Sequence, residues 1–87
     1  MHGKDHAIVA DALLVLADMF IDHRDIAKAR GLAARALAIR ERVYGKDHQL
    51  VASALVQLGA QYSRLDDLGK ALELFERALT ITERVYG

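Results

Sequence analysis

Proline and cysteine are both absent from this 87-residue chain, and its charges of opposite sign cancel. Without proline nothing obliges a helix to break or kink, and with little strand-like alternation the expected class is all-α. Without cysteine there is neither a disulfide framework nor a thiolate zinc site, and a reducing compartment is permitted. Twelve basic and twelve acidic residues leave no global field of the kind that holds nucleic acid or an anionic membrane surface, so neither is an expected partner and any electrostatic preference is local. No run of about eighteen apolar residues occurs, and the start, Met1-His2-Gly3-Lys4, lacks the apolar segment of a secretory signal. The expectation is a soluble, cytoplasmic chain. Its length fits one domain, residues 1–87, with a single modest core.

What the chain does contain is one unit written twice. Gly3-Lys4-Asp5-His6 returns as Gly45-Lys46-Asp47-His48, and Val43-Tyr44-Gly45 returns as Val85-Tyr86-Gly87. Sliding the chain along itself from Gly3 to Gly45, a shift of 42 positions, makes about 22 of 43 superposed pairs identical, the signature of a repeat architecture. The copies run from about residue 3 to 44 and from about 45 to 86.

Each copy reads as two helices. In the first, Ile8, Val9, Ala12, Leu13, Leu16, Ala17 and Phe20 recur at spacings of three and four, so a helix is expected from about Asp5, its N-cap, to Asp22. The short polar His23-Arg24-Asp25 folds the chain back, and a second helix capped by Asp25 runs from Ile26 to Tyr44 on Ala29, Leu32, Ala33, Ala36, Leu37, Ile39 and Val43. Gly31 inside it costs about 1 kcal/mol relative to alanine, which implies tight packing there, or a hole. Gly45 suits a left-handed helix end, and Asp47 is the expected cap of a third helix reaching Arg64 on Val51, Ala54, Leu55, Leu58, Gly59 and Tyr62. After Leu65-Asp66-Asp67, a fourth helix from Leu68 to Tyr86 has the expected inner face Leu68, Ala71, Leu72, Phe75, Ala78, Leu79 and Val85.

Residues with chemical potential do not assemble into a reactive set. His6 and His48 occupy equivalent places beside Asp5 and Asp47, but they belong to different layers of the repeat and read as first-turn side chains rather than metal ligands. His2 with His6 lacks a third ligand at helical spacing. Ser53, Ser63, Thr80 and Thr82 have no glycine-rich or strand-turn context to make them nucleophiles. Neither catalysis nor a cofactor or metal is expected.

Charge is unevenly placed, however. The first helix carries Asp5, Asp11, Asp18 and Asp22 with no basic partner, and the second carries Lys28, Arg30, Arg35, Arg40 and Arg42 against Glu41 alone. Without interleaved aromatics the basic face does not read as a nucleic-acid surface.

Leu58, Gly59 and Tyr62, followed by Ala71, Phe75 and Ala78, give a large-small-large pattern that resembles the tetratricopeptide repeat. The first copy keeps it as Leu16, Ala17, Phe20, Ala29, Ala33 and Ala36, with Ala33 where a bulky aromatic is usual. The long period, Gly-Lys-Asp-His followed by Val51-Ala52, and then Arg77-Ala78-Leu79 and Glu83-Arg84, look like the repeats of kinesin light chains and nephrocystin-like proteins, with Gln49 in place of a proline. The small residues have a physical reason of their own: Gly59 and Ala17, with Ala71 and Ala29 opposite, let helix axes approach to about 8 to 10 Å.

The resemblance implies two tandem helix-turn-helix repeats, an α-solenoid fragment acting as an adaptor or scaffold, with the first helix of each pair on the concave side. The groove it implies is lined by Asp11, Leu14, Asp18, Ile21 and Asp22 from one copy and Ser53, Val56, Ala60, Ser63 and Arg64 from the other. A partner segment with a basic residue and an apolar anchor would lay the first near Asp11, Asp18 or Asp22 and the second against Leu14, Ile21 or Val56. None of these positions is Lys or Asn, the pair with which family members clamp a C-terminal carboxylate. The alternative is a self-associating structural fragment. The sequence stops at Gly87, where a further Lys-Asp-His helix would begin, which leaves the side around Leu74, Ile81 and Val85 as the expected uncovered patch. Copies would stack head to tail or exchange repeats by straightening the turn at Gly45.

Overall fold

The computed structural model describes the backbone from Gly3 to Gly87 and the side chains from Ala7 onward. The side chains of Asp5 and His6, and all of His2, lie outside the described residues. Four helices follow one another, α1 (Gly3–Asp22), α2 (Ile26–Tyr44), α3 (Gln49–Arg64) and α4 (Leu68–Tyr86). No strand occurs among the described residues. The helices pack as two hairpins, α1 on α2 and α3 on α4, joined where α2 meets α3.

Both hairpin turns are built alike. Arg24 (φ 65°) and Asp66 (φ 62°) take the left-handed conformation. The amide of the next residue donates back to the end of the preceding helix, Asp25 to the Phe20 carbonyl at 2.8 Å and Asp67 to the Tyr62 carbonyl at 2.9 Å. Together with Arg24 to Ile21 and Asp66 to Ser63, these bonds satisfy carbonyls that would otherwise be orphaned where a helix stops. Asp25 and Asp67 then cap the returning helices by accepting from the amides of Lys28 and Lys70, both at 3.2 Å.

The junction between copies departs from expectation at its cap. Asp47 does not start α3; its carboxylate accepts instead from Arg84 at 3.2 Å. His48 caps the helix, its Nδ1 accepting from the Leu50 amide at 3.0 Å while its ring stacks on Tyr44 at 4.5 Å between centroids. Gly45 (φ 83°) ends α2 and donates to the Glu41 carbonyl; this backbone conformation is reserved for glycine. Likewise α1 begins at Gly3, ahead of the expected cap at Asp5.

One continuous core runs through both hairpins, from Ala10, Leu13 and Leu14 through Ala33, Ala36 and Leu37 to Val51, Leu55, Leu58, Leu74, Ala78 and Ile81. Two expected faces are therefore rotated. On α1, Leu13 and Ala17 are buried as expected, but Leu14 joins them while Ile8, Val9 and Leu16 are exposed. On α4, Ala71 and Ala78 face inward as expected, but Leu74 and Ile81 accompany them while Leu68, Leu72 and Leu79 face outward. Gly31 packs against nothing, since a Cβ there would meet no atom within 4 Å; neither tight packing nor a hole surrounds it.

Gly59 is the tight point. A Cβ at this position would lie 2.8 Å from Phe75 Cε1, well inside van der Waals contact. The ring of Phe75 is thus the nearest partner of Gly59, rather than Ala71. In the first copy the equivalent pair is Ala17 and Ala33, both fully buried. Volume has been exchanged between these positions: a ring and no side chain in one hairpin, two buried methyls in the other. That exchange accounts for the missing aromatic at Ala33.

Candidate functional site

The face expected to receive a partner is carried by α1 and α3, and a residue of α2 ties its two sides together. Arg40 is a charged side chain placed in the core, its side chain 8% exposed. Its guanidinium donates to Asp11 Oδ1 of α1 at 2.9 Å, to the Leu50 carbonyl of α3 at 2.8 Å and to Ser53 Oγ of α3 at 3.4 Å. Asp11 and Ser53 are the same position in the two copies, so α1 and α3 present equivalent edges on either side of one buried cation. The aliphatic stem of Arg40 packs in the core while its head serves the surface, the usual division of labour for a long charged side chain. Its Nε is buried without a partner.

Around this tie the other expected groove residues fall into two groups. Asp18, Asp22, Ser53, Val56, Ala60, Ser63 and Arg64 are exposed, and Ile21 is half-buried. Leu14 is different: at 5% exposure it belongs to the core beneath the face, and its expected role as an anchor is corrected. Asp11 remains open to solvent, its side chain 67% exposed, but Arg40 already holds one of its oxygens. The free acidity of the face therefore rests on Asp18 and Asp22.

Arg40 is not among the site residues expected from the sequence. Its signal was present: it lies four residues after Ala36 and seven after Ala33, on the stripe that turns inward. Placing it there also diminishes the basic run of α2. Two further members of that run are engaged with rings, Lys28 over Phe20 at 4.8 Å and Arg30 over Tyr62 at 5.3 Å.

A cleft of about 480 Å³ opens elsewhere, lined by Lys46, Asp47, Glu73, Glu76, Arg77 and Arg84 among others. None of the expected groove residues lines it. Two of its cations are already engaged, Arg84 with Asp47 and Arg77 with Glu41 of α2, in exposed pairs of a kind that contribute little free energy.

The family model described as tetratricopeptide repeat matches residues 8–84. The chain belongs to the tetratricopeptide repeat family. No similar protein was found among curated ones. Tetratricopeptide repeats are protein–protein interaction modules, and the two helical hairpins here are two such repeats in tandem. No helix of the described residues is long and apolar enough to cross a membrane.

Proposed function

We propose that this tetratricopeptide repeat chain is a cytosolic adaptor or scaffold, without catalysis of its own, that docks an extended segment of a partner protein across the faces of α1 and α3. The observation that carries the proposal is the Arg40 tie: one guanidinium bonded to Asp11 and Ser53 holds the two edges at a fixed spacing, so the face is organised before a partner arrives. Preorganisation of this kind lowers the entropic cost of binding. Asp18 and Asp22 would receive a basic residue of the segment, and Val56, 47% exposed, with Ala60 and the half-buried Ile21 would receive an apolar one.

Charge reversal at Asp18 tests this reading. Asp18→Lys should weaken binding of a basic, apolar peptide by about two- to tenfold at low salt, and the loss should shrink as salt is raised. Calorimetry at two ionic strengths measures both effects. Unchanged affinity for every partner peptide would rule out an acidic groove.

A further inference from the structure

Two apolar faces lie outside the core, and the chain contains a pattern for how they fit. On α4, Leu68, Leu72 and Leu79 are 61%, 61% and 58% exposed, and Tyr86 is 65% exposed. With the half-buried Phe75 they form one stripe at spacings of four, three, four and seven. On α1, Ile8, Val15 and Met19 are 58%, 62% and 54% exposed, and with Ala12 they make a second stripe at spacings of four, three and four; Val9 and Leu16 border it. The patch named from sequence, Leu74, Ile81 and Val85, is not this surface: Leu74 and Ile81 are buried in the core, and only Val85 is exposed.

The repeat register relates both stripes to surfaces that are covered. Counting back one repeat, Leu68, Leu72, Phe75, Leu79 and Tyr86 correspond to Ile26, Arg30, Ala33, Leu37 and Tyr44 of α2. That is the side of α2 that meets α3: Arg30 lies over Tyr62, Tyr44 stacks on His48, and Ala33 and Leu37 are 0% and 8% exposed. Counting forward, Ile8, Ala12, Val15 and Met19 correspond to Leu50, Ala54, Gln57 and Gln61 of α3, where Ala54 and Gln61 are 0% and 1% exposed.

The differences between open and covered versions all run one way. Val15 replaces Gln57, Met19 replaces Gln61 and Leu72 replaces Arg30. A helix face that stays in water is ordinarily polar. These faces are instead more apolar than the internal junction they repeat, and contiguous exposed apolar surface marks a contact. Burying them also strands no charge, because Arg40 is replaced in α4 by Thr82, whose hydroxyl already donates to the Ala78 carbonyl at 2.8 Å.

We infer that copies of this chain associate head to tail, α1 of one copy occupying on α4 of another the place that α3 holds on α2. The occupant is a second copy because α1 carries, at the register α3 uses, an apolar stripe that matches the exposed stripe of α4. Met19 of one copy then takes the position of Gln61, and Leu72 of the other takes that of Arg30. Because the two faces differ, the contact is heterologous, so each bound copy leaves one face of the other kind free for a further copy.

Light scattering of the chain across a concentration series, with two double variants, tests this. The unaltered chain should rise in mass without settling at a dimer. Leu72→Glu with Leu79→Glu spoils one face, and Val15→Glu with Met19→Glu spoils the other. All four positions are exposed, so circular dichroism should show both variants helical, each alone at a mass near 9.6 kDa. Mixed, they retain one good face each and should form a one-to-one dimer that grows no further. A single mass near 9.6 kDa for the unaltered chain up to millimolar concentration would overturn the proposal. So would dimers of the α1 variant by itself, which would mean α4 pairing with α4, or an unaltered chain that stops at a closed dimer.

Discussion

Replacing Gly59 by leucine should lower stability by about 1 to 3 kcal/mol or more, a fall in Tm of roughly 5 to 20 °C for a domain of this size. The cause is local: the first added carbon would already lie 2.8 Å from the Phe75 ring, and the rest of the side chain has no space at that crossing. The sharper form of the experiment uses the other copy as its control. Gly59→Ala combined with Phe75→Ala recreates the pair found at Ala17 and Ala33, where both methyls are fully buried. The penalty of Gly59→Ala should therefore be present with Phe75 in place and vanish in the Phe75→Ala background, a coupling of about 0.5 to 3 kcal/mol. Thermal unfolding of the four proteins measures it. Additive effects would show that this ring does not set the crossing.

Arg40→Ala should be the other costly change, by about 2 to 4 kcal/mol. It removes the packed stem together with bonds to the Leu50 carbonyl, Ser53 and Asp11, and breaking a buried, hydrogen-bonded charge network of this kind is costly although the desolvation of the guanidinium is recovered. Arg40→Met keeps the stem and should recover part of the loss. Asp11→Asn should cost under about 1 kcal/mol, because the carboxylate is mostly solvated and exposed pairs contribute little. This ordering, alanine worst, methionine intermediate, asparagine mildest, follows from where the atoms sit; denaturant unfolding that placed Asp11→Asn beside Arg40→Ala would contradict it.

The four helices and three turns were legible because their signals are local. Apolar spacing near 3.6 residues, Asp25 and Asp67 at caps, and Gly45 at a positive φ each depend on a few neighbouring residues. The cap at His48 was not legible, because Asp47 is the commoner capping residue type and its contact with Arg84 joins residues far apart in sequence. The rotated faces of α1 and α4 have a different origin. A helix in a repeat array is apolar on two sides, one for its hairpin partner and one for the adjoining hairpin, and hydrophobicity alone does not label them. Leu14, Leu74 and Ile81 face the partner, whereas Ile8, Leu72 and Leu79 face outward. Reading both sides as one broad stripe sent Leu14 to the groove and Leu72 to the core. Of the candidate site, the acidic edge at Asp18 and Asp22 was visible as an unbalanced run of charge. The tie beneath it was hidden, since Arg40 reads as one more cation on a basic helix until its stripe is traced inward.

The most direct measurement is an amide-shift map of the isotopically labelled chain, titrated with a peptide in which lysine and leucine alternate. Docking across α1 and α3 predicts that the largest shifts fall at Asp18, Asp22, Val56, Ala60 and Ser63, and that they diminish with Asp18→Lys. Shifts gathered instead on the outward positions of α2 and α4, such as Arg35 and Glu76, with the α1 and α3 positions unmoved, would contradict a binding face built on those two helices.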